Sequence, residues 1–116
     1  MPRQYYMTEL SVGPPVPIST ETIDDYVFTF NPVNEEGVDS GLTAVTAEVE
    51  VRDLATLLEL TDETLTISTP DDNTSVVHVD WGELGVVRGG SYEMLVRFHL
   101  SDGTTDEGTL VFLVRA

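Results

Sequence analysis

The chain has 116 residues and carries 21 Asp+Glu against 5 Lys+Arg, a formal net charge of -16. That length suits one domain around one core, and the absence of cysteine excludes disulfides, thiolate metal sites and a cysteine nucleophile. A polyanion of this kind repels nucleic-acid phosphates and anionic lipid, which makes both poor direct partners, and no stretch approaches the roughly 18 apolar residues that span a bilayer.

The N-terminus, from Met1 to Tyr6, lacks the charged-then-apolar order of a secretory leader. A soluble chain that begins at its own Met is expected. Residues 1–22 read as an arm with a short strand over 5–11, followed by a stiff linker. Gly13, Pro14, Pro15 and Pro17 forbid regular helix and central strand there. Such an arm either folds back on its own domain or docks on a neighbour, and Tyr5 and Tyr6 are its candidate anchors.

From Ile23 the hydrophobic period is two. Tyr26, Phe28 and Phe30 alternate with Val27 and Thr29. After breaks at residues 34–37 and 39–41, Val45, Ala47, Val49 and Val51 alternate with Thr46, Glu48, Glu50 and Arg52, the pattern of a strand with one buried and one charged face. Residues 53–60 read as a helical turn, with Leu54, Leu57 and Leu58 at helical spacing and Asp53 as its cap. Leu65 and Ile67 then alternate with Thr64, Thr66 and Ser68.

A tight connection is expected at Pro70, Asp71, Asp72 and Asn73, before Val77, Val79 and Trp81 fall in phase. Arg88, Gly89 and Gly90 mark another turn. Tyr92, Met94, Val96, Phe98 and Leu100 alternate with Glu93, Leu95, Arg97 and His99. Ser101, Asp102 and Gly103 should turn a hairpin. Residues 109–114 are apolar on both faces, as in a strand covered on each side or lying in an interface. Strands at this spacing, punctuated by Gly, Asp and Pro, point to an all-β sandwich or small barrel over residues 23–116.

No catalytic apparatus is visible. His78 and His99 fall on outward strand positions without metal-ligand spacing, and read as surface histidines. The oxygen-rich clusters at Asp24 and Asp25, at Asp71, Asp72 and Asn73, and at Asp102, Asp106 and Glu107 suit a hard cation in principle. None has the spacing of a calcium loop, so they read as solvated turns. No nucleophile elbow or phosphate-cradling glycine loop is present. The chain is therefore expected not to be an enzyme and to need no cofactor, metal or small-molecule substrate.

Trp81 reads as a core anchor, with ligand stacking as its other reading. Leu95, Val111 and Leu113 face outward if Tyr92 and Phe112 face inward. They form a candidate apolar contact patch unless the N-terminal arm covers it.

Five pieces in order carry a resemblance. They are the aromatic strand Tyr26, Phe28, Phe30; the lead-in Gly41, Leu42, Thr43, Ala44 to a strand ending Val51, Arg52, Asp53; Val77, Val79, Asp80, Trp81; Gly90, Ser91, Tyr92, Glu93; and Val96 to Leu100 running into Ser101, Asp102, Gly103, Thr104. Residues 26–116 on this basis resemble the small immunoglobulin-like domains of tailed-virus structural proteins, including the N-terminal domain of phage upper-baseplate proteins. Residues 1–22 are unmatched. The resemblance implies an immunoglobulin-like antiparallel β-sandwich of about seven strands with an extended arm. It also implies a non-enzymatic virion component (capsid decoration, neck, tail or baseplate) that contacts other virion proteins and copies of itself.

Acidity without lysine matches the proteome style of extreme halophiles, where molar salt screens self-repulsion. A virus of a halophilic archaeon is the source this favours. An arginine-favouring genome with an ordinary acidic surface gives a similar composition. The competing functional reading is a stand-alone binding module for carbohydrate or a cell-surface partner.

Overall fold

The period-two alternation becomes two stacked four-stranded sheets in the computed structural model, which describes residues 3–11, 13–33, 36–60 and 65–116. The strands are β1 (Arg3–Tyr6), β2 (Val16–Ile18), β3 (Ile23–Thr29), β4 (Ala44–Asp53), β5 (Thr66–Ile67), β6 (Thr74–Asp80), β7 (Ser91–Leu100) and β8 (Thr105–Val114), with a single-turn helix α1 (Trp81–Leu84). Sheet A has the order β1-β3-β6-β5 and sheet B the order β2-β8-β7-β4. The protein is an all-β sandwich. Both sheets are mixed rather than purely antiparallel, because β1 runs parallel to β3 and β2 parallel to β8.

The expected arm accounts for that difference. Its described residues supply one edge strand of each sheet, β1 and β2. After β1 the chain makes a 3-10 turn at Met7–Glu9 and crosses to the other sheet, where the Ser11 N–H donates to the Thr109 carbonyl at 2.8 Å. Leu10 is buried against Gly108, where an added Cβ would lie 2.5 Å from that of Leu10. Met7, Leu10, Val16 and Ile18 all enter the core. Parallel neighbours cannot be joined by a hairpin, and residues 7–22 provide the crossing between β1 and β3.

The core's largest side chains meet at one end of the sandwich. Trp81 is fully buried, its ring centroid 4.6 Å from that of Phe112 and 6.4 Å from that of Tyr26. Its indole Nε1–H donates to the Tyr26 hydroxyl at 3.0 Å, satisfying both polar tips inside the apolar cluster. Burial pushes the Tyr26 phenol up to about 12. The strand phase of Val77, Val79 and Trp81 continues into α1, whose first turn is capped by the Asp80 carboxylate accepting from the Glu83 N–H at 3.2 Å. Next to it, the Tyr92 hydroxyl accepts from the Val87 N–H at 3.0 Å and ties the connecting loop to the start of β7.

Three local expectations are corrected. The short strand expected over residues 5–11 lies instead at Arg3–Tyr6 and gives way to the 3-10 turn at Met7–Glu9. Residues 53–60 are not a helix. The Asp53 carboxylate accepts from the Ala55 and Thr56 N–H groups, but the chain then reverses, and Arg52 and Glu59 form an antiparallel bridge. Competition between a capping side chain and helix continuation is resolved in favour of the turn. Val45 does not face inward either. Ala44 pairs with Leu100 and Thr46 with His99, so Val45 is the extra residue of a bulge and is exposed.

The connection after Pro70 is a two-residue reversal. Asp72 and Asn73 both lie at positive φ, 51° and 62°, and Asp71 and Thr74 exchange backbone hydrogen bonds. The Asp102 hairpin forms as expected, with Gly103 at φ 88°. Asn34, Glu35 and Thr64, named in the sequence patterns, lie outside the described residues, as do Met1, Pro2 and Val12 of the arm.

Candidate contact surfaces

Because one face of each sheet is spent on the core, surfaces for function are the outward faces and the two ends, or poles, of the strands. On the outward face of sheet B, register places Glu48, Glu50 and Arg52 of β4 beside Arg97, Leu95 and Glu93 of β7, which in turn face Glu107, Thr109 and Val111 of β8. Arg52 donates from Nη2 and Nε to Glu93 at 2.7 and 3.1 Å. Arg97 bridges Glu107 and Glu48, and Glu48 also accepts from His99 Nε2 at 2.6 Å. A carboxylate can only accept, so that histidine nitrogen carries the proton.

These contacts tie β4, β7 and β8 together across one face. The hydrogen bond from His99 holds the Glu48 carboxyl below its ordinary range. Hydrogen bonding to Glu107 holds Arg97 more firmly protonated. Individually, exposed pairs contribute under about 1 kcal/mol, so the face is ordered by the sheet and decorated by its charges.

The candidate contact residues separate. Leu95, Val111 and Leu113 do lie on the outward face of sheet B, Leu113 exposed and the other two half-buried. They form a narrow diagonal interrupted by Glu50, Glu93 and Glu107 rather than a continuous patch. A shallow depression of about 260 Å³ runs over Glu50, Arg52, Glu93, Leu95, Glu107 and Thr109. The described residues of the arm run along the edge of this face, with Pro17 of β2 opposite Leu113 and the Ser11 hydroxyl bonded to that of Thr109 at 3.1 Å. Tyr5 is half-buried and stacks on Phe28 with centroids 5.7 Å apart. Tyr6 is exposed and lines a depression of about 470 Å³ with Thr8, Thr29, Phe30, Asn31, Pro32, Asp72 and Asn73.

On sheet A the outward face is lightly charged. The His78 ring pairs with Asp25 at 2.7 Å, and Thr29 bonds Thr74 across β3 and β6. Among the described residues no group of three His, Cys, Asp or Glu side chains converges to hold a metal.

The poles carry what sequence patterning missed. Of the ten exposed large hydrophobic residues among those described, Ile23, Leu57, Leu58 and Val87 lie at the pole that holds α1. Tyr6, Val33, Val38 and Val45 lie at the opposite pole, where the Asp72 and Asp102 hairpins turn, while Val76 lies on the face of sheet A and Leu113 on that of sheet B, near the α1 end. Leu57 is 64 % and Leu58 66 % exposed, and Leu57 is held at φ 61°, a left-handed backbone that is strained for a leucine. The leucine spacing in residues 53–60 is the sequence signal for this tip, and it reads there as a helical turn.

Charge differs along the same axis, because the exposed arginines of the poles stand at the α1 end, alongside the exposed carboxylates of Glu21 and Glu83. Arg88 and Arg115 are exposed at the α1 pole, brought to it by the hydrogen bond from the Gly89 N–H to the Val114 carbonyl at 3.0 Å. Neither has a carboxylate partner among the described residues. At the hairpin pole Asp39, Asp71, Asp72 and Asp102 are exposed. The two hairpins there are joined through Ala44 N–H to Asn73 Oδ1 and Thr43 N–H to Ser101 Oγ. Hydrogen bonds from Thr104 hold the Asp102 carboxyl low.

A scan of the chain against protein-family models gives no match, and a search of curated proteins gives none.

Proposed function

We propose that this protein is a non-enzymatic structural component of a tailed virus, built on an immunoglobulin-like sandwich and acting through protein–protein contacts. The observation that carries the contact part is the distribution of exposed apolar side chains. Eight of the ten large ones among the described residues project from the two poles, and a bulky residue kept at strained backbone on a surface tip is better suited to a partner than to water.

Two features support the immunoglobulin-like part. Labelling β1 as A, β2 as A′ and β3 to β8 as B to G turns the sheet orders into A-B-E-D and A′-G-F-C, the arrangement of that fold. The Tyr92 hydroxyl bonded to the Val87 N–H corresponds to the tyrosine corner at the start of strand F. The chain departs from antibody domains in having no B–F disulfide, a tryptophan at the end of E rather than on C, and a parallel A–B pair.

A virion position in capsid decoration, neck, tail or baseplate, and a halophilic archaeal host, rest on the sequence resemblance and on lysine-free acidity. A stand-alone binding module for carbohydrate or a cell surface is the competing reading. The depression beside Tyr6 is its most favourable location.

The experiment that separates the two is light scattering of the full chain across salt concentration, paired with binding to a glycan panel. Salt-promoted assembly without glycan binding supports the virion component. A monomer at all salt concentrations that binds a glycan, with binding lost in Tyr6→Ala, would replace that reading by the module.

A further inference from the structure

The poles differ in charge as well as in shape, and the difference suggests how copies meet. Each ten-residue strand is about 33 Å long, so of the principal extents 45 × 28 × 26 Å the strands follow the long one. The α1 pole and the hairpin pole are therefore the two ends of an elongated body.

At the α1 pole, Arg88 and Arg115 are both exposed in a chain with 21 Asp+Glu, while Arg52 and Arg97 take their carboxylates on the face of sheet B. A carboxylate brought by a partner would give such an exposed guanidinium a charge-assisted hydrogen bond. Around them stand the exposed Val87, Leu113 and Leu57. At the other end, Asp71, Asp72 and Asp102 stand on connected hairpins beside the exposed Val33, Val38 and Val45. Each end thus presents apolar area, and the exposed arginines of the poles stand only at the α1 end, beside Glu21 and Glu83, while the described charged side chains of the hairpin end are carboxylates.

We propose that the α1 pole of one copy docks on the hairpin pole of a second copy, with Arg88 and Arg115 set against Asp71, Asp72 and Asp102. This deepens the contact reading of the previous subsection and rests on it. The interface is heterologous: the surface that a copy offers differs from the surface it receives. Such contacts continue into rows, or into rings when the rotation closes, instead of stopping at a dimer.

Salt acts on this contact with an unusual sign. Two copies of net charge -16 repel over a Debye length of about 10 Å at 0.1 M salt, which shrinks to about 3 Å at 1 M. The close ion pairs inside the contact are screened less than the repulsion between whole bodies, and apolar burial is not screened at all. Association therefore strengthens with added salt.

The test uses two full-length variants, Arg88→Glu with Arg115→Glu, and Asp71→Arg with Asp72→Asn. All four positions are exposed, and Asn tolerates the positive φ of position 72. Circular dichroism melts check that both variants fold. At a salt concentration where the wild-type chain associates, each variant alone should sediment as a monomer, and the equimolar mixture should regain mass, because each variant keeps the pole that the other has lost. Variants that associate as the wild type does, or a mixture that stays monomeric, would overturn head-to-tail docking while leaving a contact role through another surface. A wild-type chain that is monomeric at every salt concentration would overturn the docking and the self-contact part of the proposed function together.

Discussion

The Tyr92 hydroxyl fixes the loop before β7 through one hydrogen bond from the Val87 N–H. Replacing Tyr92 by Phe keeps the buried ring and strands that partly buried N–H, so Tyr92→Phe should cost about 1–2 kcal/mol in a urea titration. An unchanged midpoint would remove this bond from the account. Asp106 works the other way. Burial holds its carboxyl above the ordinary range, so its charged form is penalised in the fold but not in the unfolded chain. The penalty is present at neutral pH and disappears as pH falls through the raised value. Asp106→Asn should therefore raise the melting temperature at pH 7, with the difference closing below about pH 4, where both side chains are uncharged. Glu48, held low by the hydrogen bond from His99, contributes with the opposite sign: its share is present at neutral pH and lost on acidification. Little of this was legible beforehand. Trp81 could be read as a core anchor from strand phase, and it is buried. That Glu48 would meet both Arg97 and His99 depends on the register between β4 and β7, and alternation within each strand does not specify it.

At the scale of elements, alternation located β3, β4, β5, β6 and β7, because one buried face imposes period two on any half-buried strand, and β8 was legible as a run apolar on both faces over residues 109–114. It failed where side-chain capping or an extra residue broke the period, at residues 53–60 and at Val45. It also failed for β1 and β2, whose three or four residues are too few to carry a pattern and whose prolines suggested a linker. Pro17 is tolerated because β2 is an edge strand.

The integral arm leads to two predictions. Removing residues 1–18 strips Met7, Leu10, Val16 and Ile18 from the core. At about 1.5–3 kcal/mol for each such side chain, the loss rivals a small domain's whole stability of about 5–15 kcal/mol. The truncated chain should be unfolded by circular dichroism, and a cooperative melt would contradict an integral arm. More locally, Gly108→Ala should destabilise by about 2 kcal/mol, since its methyl group meets Leu10. Adding Leu10→Gly, which removes the Cβ that the new methyl group meets, should recover part of the clash cost, a coupling that a double-mutant cycle reads directly.

For the whole molecule, charge and exposed apolar area act together. A body of net charge -16 is held apart from its copies in dilute buffer and released to associate as salt screens it. The composition made this legible at once, and with it the expectation of a salt-rich setting. The direction of association was not legible, because it depends on which turns share a pole. Arg88 and Arg115 are 27 positions apart in sequence and reach the same pole through the backbone pairing of Gly89 and Gly90 with Val114. The sheet faces are less suited to self-association than the poles, since carboxylates break the diagonal of Leu95, Val111 and Leu113. The free edge of β4 is blunted by the Val45 bulge and the Glu48 and Glu50 charges, which is how sheet edges avoid unwanted pairing.

Small-angle X-ray scattering of the full chain through a salt series tests end-to-end docking most directly, because the principal extents of 45 × 28 × 26 Å make growth along the long axis distinguishable from growth across it. Docking through the poles should lengthen the maximum dimension in steps near the 45 Å extent while the cross-section stays that of one copy. Growth of the cross-section, or scattering that remains that of a single copy at every salt concentration, would contradict it.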